Sequence, residues 1–121
     1  MRYVDGFVFI VSKSKLKAYK KMAREGGKIW KKHGALEYME CQGDDLHPKW
    51  IKLTFPKLTK AKSSDTVWFS FIVYKSKAHR NQVNAKVMKD PYMSDPKNKD
   101  MPMPFDMNKM SYGGFKAIVD V

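Results

Sequence analysis

The stretch Thr66-Val67-Trp68-Phe69-Ser70-Phe71-Ile72-Val73-Tyr74 limits the fold more than any other part of the chain. Val67, Phe69, Phe71 and Val73 alternate with Thr66, Trp68, Ser70, Ile72 and Tyr74. Successive side chains of a strand point to opposite sides of a sheet, so this pattern predicts a strand with two distinguishable faces. Tyr3 to Val11 repeats it, with Val4, Gly6, Val8 and Ile10 set against Tyr3, Asp5, Phe7 and Phe9. Ala35 to Gln42 reads as another strand, ended by Gly43-Asp44-Asp45, and Tyr112 to Val121 as the last.

Helical periodicity fills two of the gaps. Leu16, Tyr19, Met22, Ala23, Ile29 and Trp30 recur at helix spacing with lysines between them, which predicts a helix from Leu16 to His33. Ser12 or Ser14 offers its N-cap and Gly34 its closing residue. Gly26-Gly27 disfavours the helix by ~1 kcal/mol per glycine, so a kink or a close approach to the sheet is expected there. Ser76 caps a second helix, Lys77 to Lys89, which buries Val83, Val87 and Met88 and stops at Asp90-Pro91. Trp50-Ile51 and Leu53-Thr54-Phe55 suggest a short strand, broken by Pro48 and Pro56. Residues 91–110 read as an irregular loop that lays Met103, Phe105 and Met107 across the sheet rim.

The order is strand, helix, strand, long connection, strand, helix, strand. Right-handed crossovers turn βαββαβ into a four-stranded antiparallel sheet with both helices on one face, an α+β fold in a single domain, residues 1–121. Strand parity is then read with Val67, Phe69, Phe71 and Val73 under the helices. The other face would carry Tyr3, Phe7, Phe9, Trp68, Ile72, Tyr74 and Ile118, an apolar patch larger than monomers usually show. A homodimer with the two sheets face to face covers it.

That second face is also the candidate ligand pocket: Tyr3, Asp5, Phe7, Trp68, Ser70, Tyr74, Tyr112 and Lys116. The first and last strands are neighbours in this topology, so Asp5 and Lys116 are expected to meet as a partly buried pair. They are the candidate catalytic residues, since a buried carboxylate can acquire a pKa suited to proton transfer. The expected occupant is a small apolar ligand held between sheet and loop.

Other motifs carry less. The separations of His33, His47 and His79 fit no metal motif, and neither metal nor cofactor is expected. Cys41 alone allows no internal disulfide and reads as a small buried group. Gly113-Gly114 lacks the spacing of a phosphate loop and leads into a strand, so a bulge or close backbone approach is expected. The chain has no run approaching the ~20 apolar residues of a membrane span. Its N-terminus reads as a strand where a signal peptide would need an uncharged core, and a cytoplasmic location is expected.

The charge is unusual: 24 Lys+Arg against 12 Asp+Glu, a net of +12. Residues 13–32 hold nine of these cations and one acid, Glu25, and residues 49–62 hold five lysines and no acid. Such an excess attracts polyanions through a sequence-independent Coulomb term. Lysine dominates, however, and the fork-shaped arginine suited to base and phosphate recognition is scarce. A solvated basic surface is the primary reading. RNA binding through the first helix and residues 49–62 is the alternative.

Tyr3-Val4-Asp5-Gly6-Phe7, Gly43-Asp44-Asp45, Lys86 to Pro91, and Met103-Pro104-Phe105-Asp106 through Tyr112-Gly113-Gly114-Phe115 resemble the YbaA-like family of small bacterial proteins. The resemblance spans nearly the whole chain, and the C-terminal block is its most specific part. It implies a ferredoxin-like, dimeric α+β barrel and supplies no catalytic residues. The wider superfamily includes cofactor-free monooxygenases and small isomerases. By fold analogy alone, an enzyme of that kind acting in the barrel lumen is the alternative to a ligand-binding protein.

Overall fold

In a computed structural model, which describes residues 1–99 and 103–121, the strands and long helices lie where the periodicities put them. They are β1 (Tyr3–Ser12), α1 (Leu16–Lys32), β2 (Glu37–Gln42), a short α2 (Phe55–Thr59), β3 (Asp65–Tyr74), α3 (Lys77–Met88), two short turns α4 (Pro91–Ser94) and α5 (Pro96–Lys99), and β4 (Ser111–Lys116). Every strand pairing is antiparallel and the sheet order is β2-β3-β1-β4. The two apolar strands β1 and β3 take the centre, where both faces can be covered. The outer strands β2 and β4 are shorter.

Local details differ at the ends. Neither Ser12 nor Ser14 caps α1. Their hydroxyls bond each other at 3.3 Å, and a 3-10 turn, Lys13–Lys15, leads into the helix. Ser76 does cap α3, accepting from the His79 N–H at 3.0 Å, and Gly34 closes α1 at φ +115, a conformation that suits glycine. The segment around Trp50 forms no strand, and Phe55–Thr59 is helical with Pro56 in its first turn. β4 stops at Lys116, so Ile118 lies outside the sheet. Ala117 donates its N–H to the Arg2 carbonyl, and Arg2 pairs with Asp120.

The helices cover the opposite sheet face from the one read from parity. Trp68 packs with Tyr19, Ala23 and Phe9, while Ile72 and Tyr74 pack with Val83, Val87 and Ala35. Phe69 is 46% exposed and Phe71 half-buried on the open side. Both residue sets of β3 are apolar, so alternation defined the faces without showing which one the helices take. The larger, flatter side chains do, because Trp68, Tyr74 and Tyr19 fill the thick helix–sheet layer. Phe105 joins them, 5.6 Å from the Phe9 ring and 5.8 Å from Tyr19, and Met110 packs there too. Met103 and Met107 stay exposed.

Candidate functional site

Register puts Tyr3, Asp5, Phe7, Trp68, Ser70, Tyr74, Tyr112 and Lys116 on one face. Tyr3 lies opposite Tyr74 and Lys116, Phe7 opposite Ser70 and Tyr112, and Phe9 opposite Trp68. This is the helix-covered face. The expected Asp5–Lys116 pair does not form, because Asp5 lies opposite Gly114 and its carboxylate is taken by a helix residue. Arg80, in the first turn of α3, donates from Nη1 to Asp5 Oδ1 at 2.9 Å and to the Tyr112 hydroxyl at 2.7 Å. Its guanidinium sits 5.0 Å from the centre of the Tyr3 ring, within cation–π range.

This network joins α3 to β1 and β4. Burial and then the Asp5 carboxylate raise the Tyr112 hydroxyl above the ordinary tyrosine pKa, and the same two causes raise Tyr74. Both phenols stay neutral, Tyr112 accepting from Arg80. Tyr74 and the Trp30 indole both donate to Asn84 Oδ1, at 3.4 and 3.2 Å. Among the described residues no fully buried side-chain polar atom lacks a partner. Sequence reading missed Arg80, although the scarcity of arginine was the available signal.

His33 meets an acid. Its Nε2 lies 2.7 Å from Asp90 Oδ2, Lys32 Nζ is 3.2 Å from the same oxygen, and the Tyr92 N–H donates to Oδ1 at 2.9 Å. The backbone donor first, then His33 and Lys32, lower the Asp90 pKa from 3.8 to about 2. A depressed carboxylate contributes stability above its unfolded pKa, and that contribution is lost as pH falls from 3.8 toward about 2. In acid titrations of stability, the wild type is therefore expected to lose more than Asp90→Asn across that window. Parallel curves would remove the assignment.

An open groove of ≈ 590 Å³ lies between α1 and the edge strand β2. Tyr38, Glu40, Gln42, Trp68, Ala23 and Gly27 line its floor, and Lys20, Arg24, Lys28 and Lys31 line its wall. The Glu40 carboxylate accepts a hydrogen bond on each oxygen, from Tyr19 and from Tyr38, both at 2.7 Å. Burial, reinforced by Glu40, raises both tyrosine pKa values well above the ordinary range, so these phenols remain donors. The Trp68 indole is fixed by its N–H bond to Thr66 Oγ1 at 2.9 Å. Of the eight pocket residues expected from sequence, Trp68 alone borders this groove.

A family model described as a protein of unknown function (DUF1428) matches residues 2–107. The chain belongs to this family. Uncharacterized protein YbaA of Escherichia coli strain K12 is 42% identical over 120 residues, covering 99% of each chain, and the protein of that name from Shigella flexneri matches equally well. Among solved structures, a dimeric ferredoxin-like protein from an uncultured marine organism superposes with a TM-score of 0.62 over 100% of both chains, at 10% identity. That likeness fixes the DUF1428 chain as a ferredoxin-like α+β fold. Among the described residues no cluster of His, Cys, Asp or Glu could hold a metal ion, and no helix is long and apolar enough to cross a membrane.

Proposed function

We propose that this DUF1428 protein is a homodimeric, cytoplasmic ligand-binding protein. In this reading the open sheet faces of two copies meet, and each copy holds its ligand on the helix side, in the groove between α1 and β2. One observation carries the dimer: the open face carries large apolar side chains on all four strands. Met39 on β2 and Phe69 on β3 are 50% and 46% exposed, and Phe115 on β4 is 61% exposed, with Val4 and Val8 on β1 and Phe71 on β3 half-buried between them. The Phe115 ring lies over Gly6 and Gly113, where an added Cβ would meet it at 3.5 and 3.3 Å. Such a face left in water is an aggregation liability, and covering it with its own copy satisfies both partners at once. The dimeric description of the marine ferredoxin-like protein supports an assembly of two chains. The unpaired Cys41 lies on that face and suits a reducing compartment.

Analytical ultracentrifugation tests the dimer. The wild type is expected to sediment at twice the chain mass, and Phe69→Glu with Phe71→Glu at the single-chain mass with its far-ultraviolet spectrum retained. A wild type that stays at single-chain mass at all concentrations would overturn the reading.

A further inference from the structure

We infer that the groove between α1 and β2 takes a small ligand bearing two or more phosphate or carboxylate groups and a flat apolar portion. The inference deepens the groove reading above and does not depend on the dimer. Lys20, Arg24, Lys28 and Lys31 stand at i, i+4, i+8 and i+11, which puts all four on one side of α1. Their steps along the helix axis are about 6, 6 and 4.5 Å. A ligand with several negative groups can therefore meet two or three of them at once. None of the four forms an ion pair with an acid among the described residues. Glu25, the single acid of α1, bonds the Tyr92 hydroxyl at 2.8 Å.

The groove's one carboxylate is held away from these cations. Glu40 has each oxygen engaged by a phenol, so it neither swings out to neutralise the wall nor offers an anionic ligand a bare charge. Tyr38 in turn needs the place that Gly27 leaves open, since a Cβ there would stand 2.7 Å from its ring. Tyr38, Ala23 and Trp68 make an apolar floor beneath the cations. A groove of ≈ 590 Å³ lies within the range of about 300–1,000 Å³ usual for small-molecule sites. That size and apolar floor favour a compact compound over a nucleic-acid strand. The net charge of +12 speeds the approach of any anion.

Calorimetric titration tests the site with inorganic triphosphate, citrate, adenosine triphosphate and a single-stranded oligouridine. Triphosphate or citrate is expected to bind, which separates phosphate from carboxylate preference, and adenosine triphosphate to bind more tightly than triphosphate. Arg24→Glu with Lys28→Glu should weaken binding by about tenfold or more, while Lys49→Glu with Lys52→Glu, an equal change of charge off the groove, should leave it unaltered. Equal losses in both double variants would show attraction by net charge alone and overturn the site. So would oligouridine binding more tightly than every small probe, or no heat with any probe. Repeating the titration on Phe69→Glu with Phe71→Glu separates the two readings: binding retained in a single-chain species upholds the groove without the dimer.

Discussion

Replacing Arg80 with methionine is expected to destabilise the protein by about 3–5 kcal/mol. The size follows from what is left behind. The Asp5 side chain is 3% exposed and Arg80 is its one cationic partner among the described residues, so Arg80→Met leaves a carboxylate in a layer of Tyr3, Phe7 and Ile72. It also removes the donor to the Tyr112 hydroxyl and the cation over the Tyr3 ring. Removing both charges should cost less than removing one, because an apolar pair of similar volume carries no unpaired ion. Urea unfolding of Arg80→Met, Asp5→Leu and the double variant measures this as a cycle, with the midpoint as readout at unchanged slope. A double variant as unstable as the sum of the two singles would mean that Asp5 and Arg80 act independently. The contacts that join α3 to β1 and β4 would then not form a coupled network.

The same pair shows what sequence could and could not supply. Periods of 2 and 3.6 located β1, β3, α1 and α3, and chain order with crossover handedness set the sheet order. None of this orients a strand that is apolar on both sides. Val67 and Phe69 looked as fit for the helix layer as Trp68 and Tyr74, and only the packed volumes of α1 and α3 separate the two sets. Polar residues gave the wrong signal, since Asp5 and Ser70 suggested a ligand-facing side away from the helices. Asp5 is buried instead because Arg80, 75 positions away, reaches it from α3. The groove was equally hidden. Lys20, Arg24, Lys28 and Lys31 read as solvated helix cations until β2 places the Tyr19–Glu40–Tyr38 contact beside them.

Gly26-Gly27 left two structural readings open, a kink or a close helix-to-sheet approach, and the second holds. Both glycines lie inside a continuous α1, yet their surroundings differ. A Cβ on Gly27 would stand 2.7 and 2.8 Å from the Cδ1 and Cε1 atoms of Tyr38, in mid-ring and not at a free tip. That ring cannot swing aside without losing its bond to Glu40. On Gly26 the nearest atom is the Tyr38 hydroxyl oxygen at 3.7 Å, an ordinary contact. The two alanine variants should therefore differ, with Gly26→Ala the more stable. Gly26→Ala is expected to gain up to about 1 kcal/mol from helix propensity. Gly27→Ala gains the same propensity but must lift α1 from the sheet, and overpacking of about 1–3 kcal/mol exceeds or cancels the gain. Gly27→Val, with a larger and β-branched side chain, should fall furthest, by about 3 kcal/mol. Thermal unfolding of the three variants decides it. If Gly27→Ala stabilised as much as Gly26→Ala, the helix would have room to spare over Tyr38, and the close approach would not be what keeps a glycine at that position.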